Sequence, residues 1–282
     1  MYKIEIDDSW RSWIKENLHN KAPKHEIFTI LLNHGYEYDV IANVLEFEPI
    51  SERLKQRRDM QGKHLAKETL NIVQYPYKVL ADNPNAQRID TALADIYVID
   101  NFLHETECKG IIDLMEKNLT PSTVTDPNAD KSVRTSSTSH LPCTDPLVER
   151  IERRIHDALK IPLSHGEELQ GQRYLIGQEF KNHTDYFDGN VGYNQTHLDR
   201  GQRTWTFMVY LDECEEGGYT KFTKIPDLQI KPETGKALIW NNQRPDGQGN
   251  HFTEHWGMPV TKGTKNVITK WMREKPAIRQ IS

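Results

Sequence analysis

The residues best placed to do chemistry are His183 and Asp185, set as His-x-Asp, with His255 seventy residues past the aspartate (255 − 185) and Lys265 ten further on (265 − 255). Two imidazoles and one carboxylate on one face of an ion are the donor set that holds non-haem Fe(II) while leaving coordination positions open. In extended chain, residues i and i+2 point to the same side, so His183 and Asp185 can reach one ion from a single strand. Lys265 adds a cation. An ammonium on an otherwise apolar face is costly without an anionic partner, which here suggests an anionic co-substrate.

His-x-Asp alone is a weak signal, and the chain carries a second copy, His197-Leu-Asp199. That copy sits among Gly189, Gly192, Asn194 and Gly201, a composition that reads as loop. The first copy has better surroundings. LQGQRYLIGQEF places Tyr174 and Ile176 on one parity and breaks at Gly177, as expected of a strand that turns before a second short strand. HFTEHWGMPVTKGTKNVITKW supplies the distant ligand, with a Lys-Gly-Thr turn at 262 to 264 followed by alternation. Lys265, Val267, Thr269 and Trp271 share one parity and should line one face.

RYLIGQEFKNHTDYF, YLDECEEGGYTKF, RPDG and HWGMPVTKGTKNVITKW together resemble, in order and spacing, the prolyl 4-hydroxylase family of the Fe(II)/2-oxoglutarate-dependent dioxygenases. The resemblance runs from about Ala94 to about Pro276. It implies that His183, Asp185 and His255 are the iron ligands and that Lys265 pairs with the distal carboxylate of 2-oxoglutarate. His251 is the rival to His255, but only His255 precedes Gly-Met-Pro-Val at family spacing. By the same resemblance Tyr174 and Thr220 support that carboxylate, and Trp271 lies beside the co-substrate. Arg203 stands where relatives contact the target peptide, and Arg134 in VRTSSTSHL falls in a segment that forms a mobile flap in relatives. Phe180 is a departure. Close relatives often carry Tyr there, and its loss removes a hydroxyl able to bond substrate.

The cofactors so implied are Fe(II), 2-oxoglutarate and O2, with ascorbate as an optional reductant. The expected activity is hydroxylation of prolyl residues in a peptide or protein, with release of succinate and CO2. The alternatives are a non-catalytic jelly roll that binds a peptide, or a dioxygenase acting on another side chain or a free amino acid.

Composition sets the frame. With 282 residues and 36% hydrophobic content, the chain can form one large or two modest domains. No apolar run approaches the ~18 residues a membrane helix requires. The start MYKIEIDDSWRSW lacks a basic end and an apolar centre, so a cytoplasmic location is expected. Three cysteines, Cys108, Cys143 and Cys214, form neither a disulfide framework nor a zinc pattern. Cys108 reads as core packing.

Residues 1–90 read as a helical module and linker. Asp8 or Ser9 should cap a first helix running to about His19. HEIFTILLNHG should stop at Gly35, with YEYDVIANVLEF as its partner. A charged helix should start at Ser51, and YPYKVLADNPNAQ reads as linker. This unit superficially suggests a helix-turn-helix, but 13 Lys and Arg against 14 Asp and Glu (13 − 14 = −1) disfavour nucleic acid. Protein contacts, substrate capture or self-association into a homo-oligomer are expected of it instead.

Residues 91–282 read as the dioxygenase domain. ADIYVID is a strand, HETECKGIIDLMEKN a helix, and DPLVERIERRIHDALKI a helix with Val148, Ile151, Ile155 and Leu159 on one stripe. From Leu169 short strands dominate, with EEGG at 215 to 218 and RPDG at 244 to 247 as turns. The fold expected is mainly β with flanking helices (α+β): a double-stranded β-helix, or jelly-roll, core behind a small helical N-terminal module. GNVGYNQTHLDRGQ should form a long loop at the cavity mouth.

Overall fold

RTWTFMVY and KNVITKWMR are rich in β-branched and aromatic residues, which fit a pleated surface covered on both sides. They become the two central strands of the larger part of the molecule. A computed structural model describes residues 3, 5–47, 75–122, 131–187, 200–244 and 248–277. It divides into two compact units, Met1–Leu70 and Asn71–Ser282.

The first unit holds α1 (Asp8–His19), α2 (Lys24–Asn33) and α3 (Tyr38–Leu45). Asp7 caps α1 by accepting the Trp10 N–H at 3.0 Å, one residue earlier than the cap expected from sequence. Gly35 takes φ +83° after α2, the left-handed turn that glycine adopts without steric cost. Phe28, Leu31, Tyr36, Ile41 and Leu45 are buried in a separate small core. The charged helix expected from Ser51, the second motif at His197 and most of the 189–202 loop lie outside the described residues.

In the second unit the residues read as linker form α4 (Tyr75–Asp82) and β1 (Ala86–Arg88) instead. Two contacts explain it: Leu80 is fully buried in the main core, and Tyr77 meets the Trp205 ring at 5.1 Å. The division therefore falls at Leu70/Asn71 rather than near residue 90. Next come β2 (Ile96–Ile99), α5 (Glu105–Glu116), β3 (Thr120–Pro121), β4 (Ser137–His140) and α6 (Pro146–Leu159). Strands β5 (Gln170–Tyr174), β6 (Phe180–His183), β7 (Arg203–Tyr210), β8 (Glu216–Gly217), β9 (Thr220–Phe222) and β10 (Gln229–Ile230) follow. The last are β11 (Ala237–Asn241), β12 (His255–Gly257), β13 (Val260–Lys262) and β14 (Lys265–Arg273). EEGG, expected as a turn, instead contributes two residues to a strand.

These strands build an eight-stranded sheet, β1-β2-β11-β7-β14-β5-β4-β3, facing a four-stranded sheet, β10-β9-β12-β6, with β8 and β13 as a separate pair. Every pairing between these strands is antiparallel. This is the jelly-roll core with flanking helices. One core fills the space between the large sheet and α5 and α6, where Val148, Ile151, Ile155 and Leu159 form the expected stripe. Burying each such side chain contributes roughly 1.5–3 kcal/mol. A second core, including Met208, Tyr210, Phe222, Trp240 and Val267, lies between the sheets. Among the described residues no helix is long and apolar enough to cross a membrane.

All nine residues of β14 are buried, charged ones included. Alternation sends Lys265, Val267, Thr269 and Trp271 into the cavity between the sheets. Lys270 goes the opposite way, to pair with Glu152 of α6. In the smaller sheet, His255 faces His183 while Gly257 faces Phe180, so three steps along β6 match two along β12. That extra residue is a β-bulge, which re-aims side chains.

Candidate metal and co-substrate site

His183 ends β6, Asp185 follows it in a bend, and His255 begins β12 directly opposite His183. Ligand-type atoms of all three lie within 4.8 Å of one another, and the two imidazole centroids are 4.2 Å apart. Each histidine donates its Nδ1–H to a nearby carbonyl: His183 to Lys181 at 2.8 Å, His255 to Thr253 at 3.0 Å. A carbonyl can only accept, so this fixes the tautomer and turns both Nε2 lone pairs towards the shared centre. Burial, then the neighbouring His255, pushes His183 down to about 3, so it stays neutral as a ligand must.

Asp185 is held from its other side. Thr206 donates to its Oδ2 at 2.7 Å, and Asn242 donates to Thr206 at 2.9 Å. Burial raises the Asp185 pKa, but its electrostatic interactions with His255, His183 and Arg203 and the Thr206 hydrogen bond outweigh it, leaving the carboxyl below its ordinary value. One carboxylate oxygen remains for an ion. Two imidazoles and one carboxylate with orienting hydrogen bonds fit a ferrous ion with open positions.

Lys265 lines the same cavity at 2% exposure. Among the described residues no carboxylate comes within ion-pair distance, and its ammonium lies over the rings of Tyr174 at 5.2 Å and Tyr210 at 5.6 Å. Burial lowers it to about 8, only partly offset by Cys214 and Asp212. A buried cation left in that state suits a dianionic ligand whose far carboxylate reaches it. Thr220 lines the same cavity, accepting the Tyr210 hydroxyl hydrogen at 2.7 Å, and Tyr174 is paired across the ladder with Lys265.

The remaining expected residues divide. Trp271, Arg134 and Phe180 line the cavity. Arg203 does not. Its guanidinium makes two 2.7 Å bonds to Glu167 and stacks 4.0 Å over the Trp271 ring, so it backs the wall of the site. Sequence reasoning missed Thr206, Asn242 and Glu167. The signal for Thr206 was a hydroxyl on the parity of Met208 and Tyr210, the inward residues of β7.

Comparison with known proteins agrees with this geometry. Residues 169–273 match the model of the 2OG-Fe(II) oxygenase superfamily. "Probable prolyl 4-hydroxylase 10" of Arabidopsis thaliana is 38% identical over 199 residues, covering 62% of this chain and 68% of the relative. "Probable prolyl 4-hydroxylase 3" of the same plant is 36% identical with the same coverage. The crystal structure of the viral collagen prolyl hydroxylase of Paramecium Bursaria Chlorella virus-1, in complex with 2OG, superposes with a TM-score of 0.51. It is 26% identical, over 63% of this chain and 95% of that one. Fold and site thus define a 2-oxoglutarate-dependent dioxygenase that uses Fe(II) and O2. Within that class, the chain belongs to the prolyl 4-hydroxylase family.

Proposed function

We propose that this dioxygenase hydroxylates prolyl residues of a peptide or protein, with 2-oxoglutarate leaving as succinate and CO2. The observation that carries this reading is the placement of the His183, Asp185 and His255 cluster and the buried Lys265 ammonium on one cavity. Relatives named as prolyl hydroxylases support the choice of substrate.

When bound, Fe(II) activates O2 so that oxidative decarboxylation of 2-oxoglutarate is coupled to insertion of one oxygen atom into an unactivated C–H bond. The chain's own groups bind and orient. His183, His255 and Asp185 would hold the ion, and Lys265 would fix the far carboxylate of the co-substrate as a point charge. Tyr174 and Thr220, which line the cavity with Lys265, would flank that carboxylate. Met208, Trp240 and Val267 supply apolar wall that keeps water from the reacting centre.

The test is to incubate the protein with Fe(II), 2-oxoglutarate and a proline-containing peptide. Succinate should form together with a mass gain of one oxygen atom on proline, and His183→Ala should abolish both. Oxygen found only on free amino acids would refute the prolyl assignment.

A further inference from the structure

Phe180 stacks face to face on the His183 imidazole, with ring centroids 3.5 Å apart and planes inclined by 15°. The Arg134 guanidinium lies 4.8 Å over the same phenyl ring. The stacked imidazole fills one ring face at van der Waals contact, and the guanidinium packs against the same ring.

We propose that Phe180 and Arg134 form a stacked brace that fixes the plane of the His183 imidazole, which makes Phe180 a positioning residue for the metal site. This rests on His183 being a metal ligand. The physical need is specific: one hydrogen bond from Nδ1 to the Lys181 carbonyl sets the tautomer but leaves the ring free to tilt about that contact. Tilting would swing Nε2 off the shared centre. A flat face held against the ring removes that freedom. His255 meets its aromatic neighbours differently, with Trp240 at 4.9 Å and 65° and Phe222 at 5.9 Å and 42°, so the close parallel stack belongs to His183.

The backbone is arranged to deliver the brace. Residues three apart in a regular strand point to opposite faces, and the bulge between Phe180 and His183 cancels that. Phe180 itself is pinned on two sides, by its pairing with Gly257 and by an isolated bridge to Arg134. Next to the bridge, Thr135 N–H donates to the Glu179 carbonyl at 3.1 Å and Glu179 N–H donates to the Thr135 hydroxyl at 2.9 Å. Arg134 also reaches Thr138 Oγ1 at 3.3 Å, which steadies the guanidinium over the phenyl face. A residue with no hydroxyl suits this post, since nothing draws the ring towards a hydrogen-bond partner.

Anaerobic Co(II) titration of the full chain, followed by its visible ligand-field absorption, tests the brace without relying on turnover. Phe180→Leu keeps bulk but removes the flat face, and should weaken Co(II) binding about tenfold and alter the band shape. Phe180→Tyr restores the face and should stay within about twofold of the parent. Arg134→Met removes the cation and should cost about threefold. Parent-like affinity and spectrum in both Phe180→Leu and Arg134→Met would overturn the proposal, as would a Phe180→Tyr variant as weak as Phe180→Leu. A parent protein that binds no Co(II) would instead overturn the metal-ligand reading beneath it.

Discussion

At the scale of single residues, Lys265 shows how function sets the choice. Burial lowers its ammonium to about 8, well under the usual lysine value, because the charge loses water and, among the described residues, Cys214 and Asp212 offset only part of that loss. The sign follows from linkage. The folded pKa lies below the unfolded one, so protonated Lys265 costs stability below about 8, and the cost fades as pH rises towards 10.5. Lys265→Met should therefore raise the melting temperature of the co-substrate-free protein by roughly 3–6 °C, while abolishing the further rise that 2-oxoglutarate gives the parent. Thermal shift with and without 2-oxoglutarate reads both effects. Co-substrate capture runs the other way with pH: kcat/KM for 2-oxoglutarate should fall above about 8, as the free ammonium loses its proton. A flat profile between pH 7 and about 9.5 would contradict the role given to Lys265. This lysine was legible because a cation sits on the parity of Val267, Thr269 and Trp271. Thr206 was not singled out, since a threonine in a strand needs no explanation beyond β propensity. Thr206→Val, which keeps shape and removes the bond to Asp185, should weaken metal binding by ~10-fold or more.

At the scale of elements, periodicity gave the strands and the amphipathic α6, while context decided what periodicity could not. The proline of YPYKVLADNPNAQ suggested a linker, yet the segment helps cover the large sheet through Leu80 and Tyr77. The bulge in β6 was also hidden, because a bulge depends on the register with β12 rather than on the residues of one strand. A different device ties β14 to α6: the buried Lys270 and Glu152 pair, with side chains 4% and 11% exposed. Removing one partner leaves a buried charge. Glu152→Ala should cost about 3–5 kcal/mol in urea unfolding, whereas the double change Glu152→Leu with Lys270→Met should recover most of it. Equal losses in the single and double variants would show that the pair is not an isolated ionic lock.

At the scale of the whole molecule, two units with separate cores predict where the chain can be cut. The sequence placed the boundary near residue 90, but the compact units divide at Leu70/Asn71. A chain of 71–282 keeps the buried Leu80 and the β1 ladder, and should fold cooperatively and turn over 2-oxoglutarate with a short peptide. A chain of 91–282 loses both and should unfold at markedly lower temperature. Side chains from β6, the bend after it and β12 converge on one point, where they would hold one ferrous ion, with Lys265 placed to anchor 2-oxoglutarate. Anaerobic addition of Fe(II) and 2-oxoglutarate should produce a visible charge-transfer absorption that saturates at one iron per chain. His183→Ala should not show it, and Lys265→Met should need far more 2-oxoglutarate to reach it. An absorption that survives unchanged in His183→Ala, or never forms in the parent, would contradict the account.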